Sequence, residues 1–322
     1  DSLLALTGGA SNIAIGAGAF KSAAVGETGN VIIGHGAADL FDEGAAGGDI
    51  NYNVAIGYDA FIGGDLAGND RQVQGNIAIG AYALDATADN AQTGTIAIGH
   101  SALGALTSGG NNVAIGYEAM LEETTGANNT VVGHQAMNDS LAGLGNNNNV
   151  FVGYNSGGGT WLTAASSGNT AVGSGTMIGA MNAAGSNTAV GYNALNAVTE
   201  SDNNTAIGKD AMLVVSVGAG NVAVGEGAMI DLVGGANNIA IGRGAFGGAL
   251  DTTADDSTDN VFIGRNAGAG DWVTAVSNYN VGIGNYSMVA AMDGASGNTA
   301  VGYSTLTALT EADGNTAIGL RS

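Results

Sequence analysis

The sequence contains no cysteine and no proline, and only 6 lysines and arginines stand against 28 acidic residues among its 322. Without cysteine, stability does not depend on redox state, and the compartment is not fixed by that count. Without proline, no residue is barred from donating to a strand ladder, as central strands require. A net charge of −22 argues against nucleic acid and anionic membrane as partners. No apolar run approaches the roughly twenty residues of a transmembrane helix, so no membrane insertion is expected. The i, i+3, i+4, i+7 recurrence of an amphipathic helix is missing too. The first residue is not methionine, which fits a mature secreted chain freed of its signal, or an excised fragment.

What is present is glycine, 58 of them, on a regular period. A pentad Asn-x-Ala-Ile/Val-Gly, as in "NTAVG" at 187–191, ends on Gly16, Gly34, Gly57, Gly80, Gly99, Gly116, Gly133, Gly153, Gly173, Gly191, Gly208, Gly225, Gly242, Gly264, Gly284, Gly302 and Gly319. These seventeen copies lie 17 to 23 residues apart. A fixed period of this size overrides the usual estimate of one domain per 150 residues, so 1–322 reads as a single elongated domain. Short β-branched runs punctuated by Gly and Asn read as strands. The expected fold is all-β: a parallel β-solenoid, a β-helix or β-roll of about 17 coils. Successive coils would then stack at strand spacing, ~4.8 Å.

Positions within the coil have separate roles. Asn opens the pentad in sixteen copies, with Thr95 the exception. Asn tolerates a left-handed corner, and stacked amides can form a ladder. The closing glycine suits a second corner or a close backbone approach that a Cβ would block. Four residues further on stands a larger apolar group, such as Phe20, Phe61, Leu84, Met120, Leu195 or Phe246. These and the pentad Ile/Val are expected to form the core, stacking being what buries them. Side chains alternate along a strand, so the central alanines should then point outward. Ala14, Ala55, Ala78, Ala114, Ala171, Ala189, Ala206, Ala240 and Ala300 are therefore expected to form a flat lateral packing face; a loop wound over them is the plainer alternative. A Thr at the pentad's second position (Thr130, Thr170, Thr188, Thr205, Thr299, Thr316) should face the core, and with no Thr-x-Thr ladder ice binding is not expected.

The residue after each glycine varies in chemistry, with Tyr58, Tyr117, Tyr154, Tyr192, Tyr303, His35, His100, His134, Lys209, Arg243 and Arg265 among its occupants. Such variation marks an exposed stripe, whose tyrosines could contact a glycan but are more simply solvated covering. A longer period overlies the short one. Residues 149–208 align without a gap on 260–319, an offset of 111, with 33 of 60 positions identical. Trp161 and Trp272 are paired by this duplication and fall in coils where Gly157 and Gly268 replace the second apolar column. Each is expected to fill the space so left rather than to serve as a binding platform.

The stretches "NTAVGYNAL", "NNVAIGYEAM" and "NNIAIGRGAF" resemble the head repeats of trimeric autotransporter adhesins and the arrays of phage and bacterial tail-fibre-type proteins. The resemblance implies a β-solenoid, often trimeric, exposed outside the cell or on a virion and serving as spacer or adhesin. Assembly can also be read at the termini. "DSLLALTGGASN" looks like the second half of a coil, so the end of one copy and the start of another would complete one. Asp1, Leu3, Leu4, Leu6, Ile318, Leu320 and Arg321 are the residues such a head-to-tail joint would use; a chain cut from a longer one is the other explanation.

Acidic residues gather in the longer loops, as in "DTTADDSTDN" at 251–260. Oxygen-rich loops can hold Ca²⁺, which makes Asp251, Asp255, Asp256 and Asp259 weak candidate ligands, although no EF-hand spacing is present and solubilisation is the plainer reading. No catalytic or cofactor-binding residue is nominated. The histidines are far apart, no nucleophile motif or phosphate loop occurs, and the glycines follow the coil period rather than a nucleotide signature. The expectation is a non-enzymatic, self-associating fibre at a cell or virion surface. Its alternative is an adhesin or tail-fibre segment that recognises a cell-surface glycan, as a homotrimer if the resemblance extends to assembly.

Overall fold

The computed structural model describes residues 2–3, 9–22, 26–41, 49–64, 72–87, 91–140, 143–248, 256–272 and 275–322. It is a parallel β-solenoid, and no helix occurs among the described residues. Two compact units are distinguished, Asp1–Ser167 and Gly168–Ser322. Each is treated separately below.

In the first unit eight three-residue strands repeat: Ile13–Ile15, Val31–Ile33, Val54–Ile56, Ile77–Ile79, Ile96–Ile98, Val113–Ile115, Thr130–Val132 and Val150–Val152. In the second there are nine: Thr170–Val172, Thr188–Val190, Thr205–Ile207, Val222–Val224, Ile239–Ile241, Val261–Ile263, Val281–Ile283, Thr299–Val301 and Thr316–Ile318. Every strand is the centre of one pentad. Pairing between consecutive coils is parallel and unslipped, so Ala55 lies beside Ala78, and Ala206 beside Ala223. Three coils of the first unit carry an extra strand (Asp49–Asn51, Gln72–Gln74, Gln92–Thr93), and these pair in parallel as a second small sheet.

The pentad glycine adopts φ between +132° and +149° throughout. In the stacked coils a Cβ there would collide with the next coil: at Gly116 it would fall 2.2 Å from the Gly133 carbonyl oxygen. Close backbone approach, expected from the sequence, is thus the reason for glycine. The asparagine ladder forms as expected. Asn53 donates its Nδ2 to Asn30 Oδ1 at 3.2 Å and Asn76 to Asn53 at 3.0 Å, while each backbone N–H takes the same oxygen. The corner itself falls one residue earlier than expected. Asn111, Asn128, Ser186, Asn203 and Asn237, each just before a ladder asparagine, hold the left-handed conformation with φ of 57° to 61°.

The direction of the strand corrects the sequence reading. Ala55, Ala78, Ala114, Ala171, Ala189, Ala206, Ala240 and Ala300 are fully buried, and Ala14 in the first coil is half-buried. The flanking Ile, Val and Thr point outward and are half-exposed to exposed. The alanines therefore form no lateral face, and neither the pentad Ile/Val nor the second-position Thr lies in the core. Core width explains the inversion. Phe20, Phe61, Leu84, Met120, Leu195, Met212 and Phe246 are fully buried, as expected, and fill the interior from the opposite wall. Little space remains for the strand's inward side chain. Where the two sizes are exchanged, the rule is visible: Phe151 and Phe262 replace alanine, and a Cβ on Gly157 or Gly268 would lie 2.6 Å from the respective ring. Phe151 and Phe262 thus fill the space that was expected to take tryptophan. Trp161 and Trp272, also fully buried, pack edge-on against those rings at 5.6 and 5.7 Å.

The large core residues hold a further feature the sequence did not suggest. Phe20, Phe61, Leu84, Met120, Leu195, Met212 and Phe246 all have φ near +50°. A left-handed backbone costs a non-glycine residue roughly 1–2 kcal/mol. Burying a Leu or Phe side chain returns about 1.5–3 kcal/mol, and the amide is also satisfied, as when Met120 N–H donates to Ala136 O at 2.9 Å.

Candidate functional site

Three surfaces follow from this coil: the outward strand face, the column after the glycine, and the strand edges. The outward face consists of the second and fourth pentad residues. Across all seventeen strands they are Ile, Val or Thr without exception, and the fourth is always Ile or Val. Most of these side chains are half-exposed, and the more exposed among them include Ile207 and Ile241, at 40% and 39%. A solvated sheet face ordinarily carries polar side chains, so this one is unusual. Alternation alone allows either face to be inward, and the alanines, being small, were assigned to the wrong side.

The post-glycine column is exposed, as expected, and in the first unit its rings touch. His35 stacks on Tyr58 at 5.3 Å with 8° between planes, and His100, Tyr117, His134 and Tyr154 continue the pattern at 5.4, 5.1 and 5.6 Å. Tyr82 bridges the gap with edge contacts to Tyr58 and His100. It was missed in the sequence because it stands two residues after its glycine, not one. Ring stacking turns the faces toward each other and leaves the edges to water. In the second unit the column carries Lys209, Glu226, Arg243 and Arg265, with Lys209 paired to Asp210 at 3.1 Å and Arg265 over the Tyr286 ring.

Carboxylates beside the column respond to these neighbours. Glu118 is held below the ordinary carboxylate range, first by Gln135 Nε2 donating at 2.9 Å, then by Tyr117, His100 and His134. Tyr117 is raised in return by its bond to Glu118, and Tyr58 by the charge of Asp59. Asp85, half-buried beneath the first-unit column, is pushed up to about 6, chiefly by desolvation.

The remaining nominated residues are dispersed. Asp251 and Asp255 lie outside the described residues; Asp256 is exposed, and Asp259 occupies a left-handed corner at φ 59°. Among the described residues no three His, Cys, Asp or Glu groups gather in a way that could hold a metal. Asp1, Leu4 and Leu6 also lie outside the described residues, while Leu3 donates its N–H to Ala19 O at 3.3 Å. At the other end Ile318 and Leu320 are 72% and 75% exposed, and Arg321 is exposed. No protein-family model matches the chain, and no curated protein is significantly similar to it in sequence.

Proposed function

We propose that the chain is a length-giving segment of an extracellular or virion-surface fibre, a non-enzymatic structural protein that extends by stacking coils. The observation that carries this reading is the buried asparagine ladder. Each asparagine rung joins one coil to the coil before it by a backbone hydrogen bond to the amide oxygen, and most add a side-chain bond to the same oxygen, as when Asn280 and then Asn298 repeat the arrangement on Asn260. A scaffold of this kind adds stability with every repeat and has no intrinsic stopping point. Nine strands at ~4.8 Å spacing give the second unit a stack roughly 40 Å tall. The pairing keeps the same parallel, unslipped register up to Thr316–Ile318 on Thr299–Val301, so the coil geometry does not change along the unit. Resemblance of the repeats to adhesin heads and tail-fibre arrays supports the surface location.

Recognition of a glycan through the aromatic column draws less support. Sugars stack on ring faces, and in the first unit neighbouring rings cover those faces. The deciding experiment is electron microscopy of the purified chain over a range of concentrations. Rods that lengthen with concentration by whole-chain steps are the expected result. Rods of one fixed length that bind a defined glycan would overturn the reading in favour of an adhesin.

A further inference from the structure

Among the described residues the outward strand face is a broad apolar surface left uncovered in each unit, and the end-to-end reading gives it no role. We propose that this face is where copies of the chain pack side by side, the Ile/Val column of one copy against that of a second. Four observations carry the inference. First, the face contains only Ile, Val and Thr, with no charged or amide side chain in any of the seventeen strands. An extended apolar patch bordered by polar groups marks an interaction surface.

Second, such borders exist. On one side stand exposed corner residues such as Asn111, Asn128 and Asn203, and on the other the post-glycine column. Third, three of the six basic residues of this −22 chain, Lys209, Arg243 and Arg265, lie in that column. The margin of the face is therefore less acidic than the chain as a whole, so a second acidic copy is least repelled there.

Fourth, the face is ridged at the coil repeat. A partner whose ridges fall at the same ~4.8 Å interval can interdigitate along the whole stack, and a second copy has that interval by construction. The face is about 10 Å wide, so the nine strands of the second unit offer on the order of 400 Å². A twofold, self-complementary pair would cover it completely.

The test is sedimentation of the full chain across a wide concentration range, beside a variant carrying Val190→Glu, Ile207→Glu and Val224→Glu. The wild type is expected to pair, and the variant to remain monomeric with unchanged far-ultraviolet circular dichroism, its dissociation constant raised roughly a hundredfold or more. Should the charged variant fail to fold, Val190→Thr with Ile207→Thr and Val224→Thr keeps β-branching and is expected to weaken pairing about tenfold. A wild type that stays monomeric, or pairing that survives both variants, overturns the proposal. End-to-end growth is read separately by microscopy. Filaments that persist in the charged variant would leave the fibre reading intact while the sideways contact is lost, and sideways pairs without filaments would do the reverse.

Discussion

The two units use one coil and dress it differently. In the first, the column after the glycine is a run of touching rings from His35 to Tyr154; in the second, Lys209, Glu226, Arg243 and Arg265 occupy it in successive coils, between Tyr192 and Tyr303. The outward faces differ as well. Only Thr130 interrupts the apolar second position among the eight strands of the first unit, whereas Thr170, Thr188, Thr205, Thr299 and Thr316 occupy it in the second. The backbone is indifferent to these changes. Gly116 and Gly208, one from each unit, have φ of 141° and 137°, and a Cβ on either would fall 2.2 or 2.5 Å from the next coil's carbonyl oxygen. Coil geometry is thus set by the glycine, the ladder asparagine and the size of the inward side chain. The exposed columns are free to carry whatever the surface requires.

If that division is right, substitution of the shared elements should damage both units equally. Gly116→Ala and Gly208→Ala each force a Cβ into a backbone oxygen of the next coil, at a φ that alanine disfavours. Each is expected to cost more than about 3 kcal/mol, measured by denaturant titration. Gly143→Ala is the control, since nothing lies within 4 Å of its Cβ position. Only the conformational cost of its φ of +83° remains, roughly 1 kcal/mol. Unequal losses at 116 and 208 would mean the units do not share one construction.

The inward and outward sides of a single strand give the next largest effect. Ala206→Leu overfills a buried site opposite the large core column and is expected to destabilise by about 1–3 kcal/mol. Its neighbour Ile207, 40% exposed, should tolerate Thr with a change within about 0.5 kcal/mol. Comparable losses at the two positions would argue against the strand direction described above.

That strand direction was the part of the fold least legible in the sequence. Period, parallel stacking, the asparagine ladder and the glycine approach could all be read, because each depends on residues that recur at fixed spacing. Which side of a three-residue strand faces inward could not, because alternation is symmetric and both sides are apolar. The arbiter is volume: Phe20 or Met120 enters the same cross-section from the far wall and leaves room only for alanine. Phe151 with Gly157 states the same rule in reverse and was visible in the sequence as a paired exchange. The aromatic column was legible except for Tyr82, displaced by one residue and brought into line by its neighbours. The charged rim and apolar face were each present in the sequence, but their adjacency became clear only once the alanines were placed inside.

A smaller asymmetry concerns charge beneath the columns. Asp85 of the first unit is raised from 3.8 to about 6 by desolvation, and Asp231 of the second is raised for the same reason. A carboxyl whose folded value is raised favours the folded state while protonated. That contribution is complete below pH 3.8 and is lost as pH rises through about 6. Asp85→Asn is therefore expected to stabilise the chain at pH 7 by about 1 kcal/mol, discounted because the site is half open to water, and to bring no gain near pH 4. Thermal unfolding of both proteins at the two pH values checks this. An equal gain at both would assign the effect to packing rather than to ionisation.

The smallest effect concerns the ladder itself, continuous in the second unit but interrupted in the first. From Asn187 to Asn315, each asparagine's backbone N–H reaches the amide oxygen of the coil before. In the first unit Thr95 takes a rung. Its own N–H reaches Asn76 Oδ1 at 2.9 Å, but its buried hydroxyl has no partner. A hydroxyl has one donor where the carboxamide has two and is carried on a shorter arm, and the Thr95 hydroxyl makes neither of the ladder bonds. Thr95→Asn should restore both bonds between Asn76 and Asn112 and add roughly 0.5–1 kcal/mol. The opposite exchange, Asn221→Thr, places the same interruption in the second unit. It should lose a similar amount, with the cost of an unpaired buried hydroxyl added. If gain and loss are of like size, the rung is an independent increment of the stack, and stability grows with the number of uninterrupted coils. If Thr95→Asn brings nothing, the first unit has already adjusted around its threonine, and the two units are less alike in their interiors than their shared backbone suggests.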